Sequence, residues 1–303
     1  MILEYDGAVP RFQIGIPMYQ ILRKEELAPS VWLMEVRAPL VARRPKPGQF
    51  AIFRLHETGE RFPLTIAKHN PTAGAITIVF QAIGKTTREL AQLEVGQAIA
   101  DVVGPLGVPS AIANFGEVAC LGGGVGVAFI YPEIAALSQA GNAVTSILGA
   151  RNASLLFFLD DITAASKEVH LTTDDGSRGR QGVVTDVLRD LLEAGRHFDR
   201  VVAAGPIVMM RAVAEVTRPY KIPTIVSLDP IMVDGTGMCG ACRVTVGGQR
   251  RFACVDGPNF DAHQVDFDEL ALRKRSFREM EQRALHECLA LEQARAQGLT
   301  ERK

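Results

Sequence analysis

From Asp234 the chain reads Asp234-Gly-Thr-Gly-Met-Cys239-Gly-Ala-Cys242, and a further cysteine, Cys254, follows twelve positions after Cys242. Three thiols at these intervals, with three Gly among nine residues, suit few folded states. The spacing is that of a plant-type 2Fe-2S ferredoxin loop with its first Cys replaced by Asp. Such a cluster needs four anionic ligands converging from a short segment, and glycines let the backbone wrap closely round inorganic sulfide. A zinc knuckle of one Asp and three Cys, a redox Cys-x-x-Cys pair and plain buried cysteines are the alternatives. The four-residue gap before Cys239 and the Gly-rich wrap favour the cluster, and with it a chain that moves electrons. Asp234 also has a second reading, as the turn former that Asp often is beside Gly.

At 303 residues the chain has room for two or three domains, each with its own core. A net charge of -1, with no Lys/Arg cluster interleaved with aromatics, leaves small molecules and proteins rather than nucleic acid as partners. No basic-then-apolar leader and no bilayer-length apolar run occurs, so a cytoplasmic protein is expected. Five Cys, three of them in one loop, fit a reducing compartment, and Cys120 and Cys288 read as ordinary buried or helical residues. The six His are scattered, and no Ser-His-Asp or His-Glu-x-x-His set appears, which argues against hydrolytic or His-metal chemistry. His263 reads as a surface or capping residue.

Short β-branched runs, Ser30 to Arg37, Gln49 to Leu55 and Ala75 to Gln81, are separated by Pro/Gly turns such as Pro45-Lys-Pro-Gly48, which predicts an antiparallel barrel over 1–110. After Gly104-Pro-Leu-Gly107 the pattern changes to strands at Val118 to Leu121, Ala143 to Leu148, Val169 to Thr172 and Arg200 to Ala204. Helical stretches at Ala128 to Ala140, Ala153 to Phe158 and Val184 to Glu193 lie between them, so 111–224 reads as βαβ units on a parallel sheet. Residues 225–267 form the cysteine-loop domain. The tail, 268–303, has no Gly or Pro between Asp268 and Ala296 and predicts one helix of roughly eight turns.

Leu121-Gly-Gly-Gly-Val-Gly-Val-Ala128 joins a strand to a helix, and its glycines would let a pyrophosphate approach backbone amides at the helix terminus. It is not a strict G-x-G-x-x-G, since Val127 stands where the third Gly belongs, and a tight structural turn is the alternative. Arg151 follows the second strand, where it would face a phosphate, and Asp174 or Asp175 follows the third, where it would face a ribose hydroxyl. In the first domain Arg61-Phe-Pro-Leu-Thr65 ends a strand and Gly84-Lys-Thr-Thr87 opens a helix, a pairing suited to a second pyrophosphate or to no more than a turn and a cap.

The order of Pro47-Gly-Gln-Phe50, Arg61-Phe-Pro-Leu-Thr65, Gly84-Lys-Thr-Thr87, Gly104-Pro-Leu-Gly107, Gly122-Gly-Gly-Val-Gly126, Ala204-Gly-Pro206 and the cysteine loop resembles the ferredoxin-NADP reductase superfamily over about residues 12 to 267. The loop and Phe252-Ala-Cys-Val-Asp-Gly-Pro258 are similar to those of dihydroorotate dehydrogenase electron-transfer subunits and, more closely, to the small subunits of NADH-dependent reduced ferredoxin:NADP oxidoreductases, also described as sulfide dehydrogenase subunits. In that second subfamily the Asp is a cluster ligand, so the resemblance implies metal ligation by Asp234, Cys239, Cys242 and Cys254.

The resemblance further implies FAD against the barrel, with Pro63, Leu64 and the catalytic Thr65 beside its ring and Arg61, Gly84, Lys85, Thr86 and Thr87 round its pyrophosphate. NAD(H), with NADP as a possibility, would bind at Gly123, Gly124, Val125, Gly126, Gly205 and Pro206, with Arg151, Asp174, Asp175 and Ser177 near its ribose. The implied partner is a larger flavin and iron-sulfur subunit, similar to the small subunit of glutamate synthase, in an electron-bifurcating enzyme. Two departures stand out. Arg61 lies four residues before Thr65 with no Tyr between them, and Ala204 replaces the Cys that many relatives carry before Gly-Pro, so no thiol assists hydride transfer. The runners-up are an electron-transfer subunit of dihydroorotate dehydrogenase, a hydrogenase diaphorase subunit and, from another class, a zinc-stabilised nucleotide-binding regulatory module.

Overall fold

The structure, a computed structural model, describes residues 18–296. The parts of the expected domain 1–110 and tail 268–303 that fall before Met18 or after Ala296 lie outside the described residues.

The β-branched runs of the first third become strands β1 (Ile21–Ala28), β2 (Val31–Arg37), β3 (Phe50–Arg54), β4 (Arg61–Thr65), β5 (Lys68–Asn70), β6 (Ala75–Gln81) and β7 (Asp101–Leu106). Two helices join them, α1 (Pro39–Ala42) and α2 (Lys85–Gln92). Every pairing is antiparallel, but the strands form two sheets, β1-β2-β6-β5 and β4-β3-β7, rather than one closed ladder. The chain changes sheet at Ile66–Ala67: the Ile66 amide donates to Gln49 and the Ala67 amide to Thr77. Met34, Val36, Phe53, Ile76, Ile78 and Phe80 fill the space between the sheets.

The alternating middle of the chain gives β8 (Glu117–Gly123), α3 (Gly126–Gln139), β9 (Ala143–Ala150), α4 (Leu159–Ala164), β10 (Glu168–Thr173), β11 (Arg180–Gln181), α5 (Val184–Glu193), β12 (Arg200–Ala204), α6 (Ile207–Thr217) and β13 (Thr224–Ser227). The C-terminal segment adds β14 (Arg243–Val246), β15 (Gln249–Phe252), α7 (Ala253–Asp256), β16 (Asn259–Asp261), α8 (Phe267–Lys274) and α9 (Arg278–Ala296). The large sheet runs β11-β10-β9-β8-β12-β13-β16, parallel except for β16, which closes its edge antiparallel to β13. The cysteine segment therefore shares a sheet and a core with the middle domain; Cys242 and Cys254 are buried with Val226 and Leu228.

Two local expectations are corrected. Residues 153–158 form a single 3-10 turn, Ala153–Leu155, capped by Asn152, and Phe158 takes a left-handed φ of 56° that stops α4 from starting before Leu159. The tail is not one helix. It breaks at 275–277 because its two parts pack on different bodies: Phe267 and Leu270 hold α8 to the core beneath the cysteine loop, while α9 crosses to α2. There Glu292 accepts from Arg88 Nη2 at 2.5 Å and from Gln92 Nε2 at 2.7 Å, and Cys288 is buried.

Candidate functional site

Strand β8 leads to β9 on one side and has β12 on the other, so the sheet reverses its order between β8 and β12. Open α/β sheets bind ligands at the carboxyl ends of strands at such a switch point. A cleft of about 600 Å³ lies there, walled by Gly123, Gly124, Val125, Gly126, Arg151, Asp174, Gly205 and Pro206. These residues were all singled out in the sequence, and the fold brings them together. Asp175 and Ser177 are turned to each other instead: the Ser177 hydroxyl and amide both donate to Asp175 Oδ1, and Ser177 Oγ accepts from the Ala153 amide. Those bonds to Ser177 hold the Asp175 carboxyl below the usual range.

The glycines have separable tasks. A Cβ on Gly126 would lie 2.3 Å from the Ala204 carbonyl oxygen and 2.7 Å from Gly205 Cα, so only Gly lets α3 start against the end of β12. The close helix-strand packing that the sequence pattern sought at position 127 is thus made one residue earlier. Gly124, with φ of +55°, has open space where a Cβ would be, which leaves its backbone approachable from the cleft.

On β4 the two-residue alternation turns Phe62 and Leu64 into the core and leaves Arg61, Pro63 and Thr65 on the other face. Leu64 therefore offers a ligand on that face its backbone only. Arg61 is exposed; Pro63 sits opposite Ile52 and Thr65 opposite Phe50 in the ladder. At α2, Thr87 Oγ1 accepts from the Ile83 and Gly84 amides, which occupies Thr87 and Gly84 as a cap, while the Thr86 hydroxyl donates to Glu60 at 2.6 Å. The first amides of the helix and Lys85 remain to meet an anion.

The cysteine loop is bent by left-handed Gly235, Gly237 and Gly240, with φ of 74°, 82° and 68°. Its donors form two pairs. Cys242 and Cys254 are buried with sulfurs 3.1 Å apart, and Asp234 accepts from the amides of Thr236 and Cys239, both at 2.8 Å. The Thr236 amide foremost, then Cys239, holds the Asp234 carboxyl below its usual range, so it is an anion. Burial, then the facing Cys242, pushes the Cys254 thiol up to about 12. Cys239 is exposed, and among the described residues no three Cys, His, Asp or Glu side chains converge on one point. The donor set still fits an iron-sulfur cluster, because three thiols and one anionic carboxylate share one glycine-bent loop. Gly235 lies against Ile52 and Leu106, where a Cβ would meet their side chains at 3.1 and 2.5 Å, so the loop is seated on the face that carries Pro63 and Thr65.

Residues 229–266 match the iron-sulfur cluster binding domain of dihydroorotate dehydrogenase B. Over 267 residues the chain is 49% identical to the dihydroorotate dehydrogenase B (NAD(+)) electron transfer subunit homolog of Thermotoga maritima, covering 88% of this chain and 94% of that protein. The dihydroorotate dehydrogenase B (NAD(+)) electron transfer subunit of Bacillus caldolyticus is 34% identical, covering 83% of this chain and 99% of its own. The chain belongs to this electron-transfer-subunit family. Among solved structures, a chain from work on flavin-based electron bifurcation in the NADH-dependent reduced ferredoxin-NADP oxidoreductase superposes with a TM-score of 0.86 at 46% identity, over 91% of this chain and all of that one. The family resemblance carried by the motifs is thereby borne out.

Several wall residues of this family member's cleft were not legible beforehand. Val31 and Gln81 reach it from the β2–β6 sheet, Phe129 and Phe157 line it as ordinary apolar residues, and Met209 presses its sulfur where a Cβ on Gly123 would lie, at 2.4 Å. Asp229 reaches it from the start of the cysteine segment and is held by Lys274 at 2.6 Å. His263, bonded to Thr217 Oγ1 at 2.9 Å, takes no part in the loop. Among the described residues no helix is long and apolar enough to cross a membrane.

The three parts of the chain meet at a buried carboxyl. Glu133 of α3 accepts from Ser110, which follows β7, and from Asn259 of β16, both at 2.7 Å, while Asn259 Oδ1 has no partner. Burial raises the Glu133 pKa above the usual carboxylate range, against the pull of the two hydrogen bonds and of the Arg200 charge. A raised folded pKa means that the folded state binds a proton the unfolded chain has released, so this group's contribution falls as pH climbs from the ordinary carboxylate range through the folded pKa. Glu133→Gln keeps the acceptor for Ser110 and Asn259 and removes the charge. It is expected to raise the unfolding midpoint by a few degrees above about pH 6 and to leave it near wild type at about pH 4, as thermal melts across that range would read. An equal offset at both ends would contradict a titrating Glu133.

Proposed function

We propose that the chain is an oxidoreductase subunit that takes reducing equivalents from NAD(H) and delivers single electrons to a larger partner subunit. One observation carries this reading: Gly235 of the cysteine loop packs on Ile52 and Leu106, and Ile52 is the ladder partner of Pro63. The loop and the Arg61–Pro63–Thr65 face are thus adjacent surfaces, as a relay requires. In this reading 1–110, 111–224 and 225–267 are the FAD, dinucleotide and cluster domains.

Pro63 and Thr65 flank the flavin ring, with the Thr65 hydroxyl orienting it and Leu64 contributing backbone; Arg61, Lys85 and the α2 amides with Gly84, Thr86 and Thr87 receive the pyrophosphate. Gly123, Gly124, Val125 and Gly126 admit the dinucleotide phosphates to the start of α3, and Gly205 and Pro206 bound the other side of the cleft. Asp234, Cys239, Cys242 and Cys254 hold a 2Fe-2S cluster, and burial of two of the sulfurs keeps water from them. Hydride acceptance with one-electron release is the chemistry that FAD supplies when bound, and one-electron relay is that of the cluster. Asp174 on the cleft wall favours NAD(H), because a carboxylate accepts ribose hydroxyls and repels a 2′-phosphate; a higher kcat/KM with NADPH than with NADH would count against it.

The partner is a larger flavin and iron-sulfur subunit, similar to the small subunit of glutamate synthase, in an NADH-dependent reduced ferredoxin-NADP oxidoreductase of the cytoplasm. The superposition on all of that enzyme's chain, with a TM-score of 0.86 at 46% identity, supports this choice. Low-temperature EPR of anaerobically purified, dithionite-reduced protein, with iron and flavin measured on the same sample, is expected to give a 2Fe-2S signal and about one FAD per chain. Zinc with neither signal nor flavin would sink the proposal.

A further inference from the structure

Helix α8 lies beside the cysteine loop with its apolar side, Phe267 and Leu270, buried in the same core as Cys242 and Cys254. Arg273 follows Leu270 by three residues, which puts it on that side too. Its Nη2 donates to the carbonyl of Ala241, between Cys239 and Cys242, at 3.1 Å, and its Nε is buried without a hydrogen-bond partner. The neighbouring Lys274 is committed to Asp229, and Arg211 to Asp268, whereas none of the ion pairs among the described residues includes Arg273. Arg243, next to Cys242 in the chain, is exposed and enters none of the ion pairs among the described residues. The loop thus has one half-buried cation bonded to its backbone, and that cation is spent on no carboxylate.

An arginine in the last turn of a helix commonly serves its own helix, by bonding the final carbonyls or facing the dipole. Arg273 instead bonds the loop, and its unpaired buried Nε–H costs free energy that nothing within the helix offsets. A loop with one carboxylate and three thiolates concentrates negative charge, and each electron taken up adds one more. We propose that Arg273 is a positioning residue that sets the reduction potential of the cysteine-loop cluster, by neutralising charge that grows on reduction and by fixing the Cys239–Cys242 turn through Ala241. Net charge and hydrogen bonding at the site are among the features that set such potentials. The proposal rests on the cluster reading above.

The test compares Arg273→Lys, which keeps the charge, with Arg273→Gln, which keeps a donor for Ala241 and removes it. The readouts are the midpoint potential from an EPR-monitored titration, iron content and the thermal midpoint of the full chain. The expected result is a lower potential in R273Q than in R273K and wild type, with R273K close to wild type. Iron loss confined to R273Q also supports the proposal, because the charge is then what retains the cluster. Equal potentials in R273Q and R273K overturn it, as does iron loss from both, which would make Arg273 a structural tie. Wild-type protein without iron is a separate outcome that removes the cluster reading before the variants are compared.

Discussion

Cys242→Ser and Cys254→Ser are each expected to abolish the visible-light and EPR signature of the iron centre while leaving the flavin in place. Both residues are buried, at 1% and 2% exposure, and their sulfurs face each other across 3.1 Å, so neither has a solvent-borne substitute. A serine hydroxyl is a poor iron donor beside thiolate, and ligand loss here removes half of the buried pair. Iron should fall from about two per chain to a small fraction of that. The Pro63–Thr65 face and α2 belong to other elements, so FAD content and NADH bleaching of the flavin should survive, and transfer to one-electron acceptors should not. Full iron in either variant would move the site away from these cysteines.

Gly126→Ala should cost about 3 kcal/mol, toward the upper end for overpacking, because the added carbon meets backbone rather than a movable side chain. It would sit 2.3 Å from the Ala204 carbonyl oxygen and 2.7 Å from Gly205 Cα, forcing α3 away from β12 and opening the cleft at its glycine turn. Thermal unfolding should show the lost stability, and NADH affinity should drop by about tenfold or more, equivalent to about 1.4 kcal/mol. Gly124→Ala makes the contrast. No atom lies within 4 Å of its Cβ position, but φ is +55°, so the expected fold cost is only about 1 kcal/mol while NADH binding suffers as the cleft narrows. Equal unfolding midpoints for the two variants would contradict this division of labour.

Much of the site is visible in one dimension because its chemistry is local. The four proposed cluster donors lie within 21 consecutive positions, 234 to 254, and glycines mark each reversal of the loop. The strand-turn-helix at Gly122 to Gly126 is likewise one continuous segment, so periodicity and Gly placement suffice to locate it. Misreadings arose where a local cap, a backbone reversal or a neighbour from elsewhere decided the outcome. Residues 153–158 looked helical by composition, yet Asn152 caps a single turn and Phe158 reverses the backbone before α4. The 268–296 stretch carried helix formers throughout and still broke, since α8 is held by the core under the cysteines and α9 by Arg88 and Gln92.

The sequence by itself determined the glycine-bent cysteine loop at 234–254 proposed as the ligand set, the glycine turn at 122–126 proposed for the dinucleotide and the division into antiparallel and parallel halves, because each depends on spacing along the chain. Only the tertiary structure decided that Gly235 rests on Ile52 beside Pro63, that Asp229 enters the cleft, that Glu133 joins three segments and that Arg273 bonds Ala241. Those contacts join residues far apart in the chain, and only burial of apolar side chains such as Phe267 and Leu270 selects which polar groups are carried into contact with them.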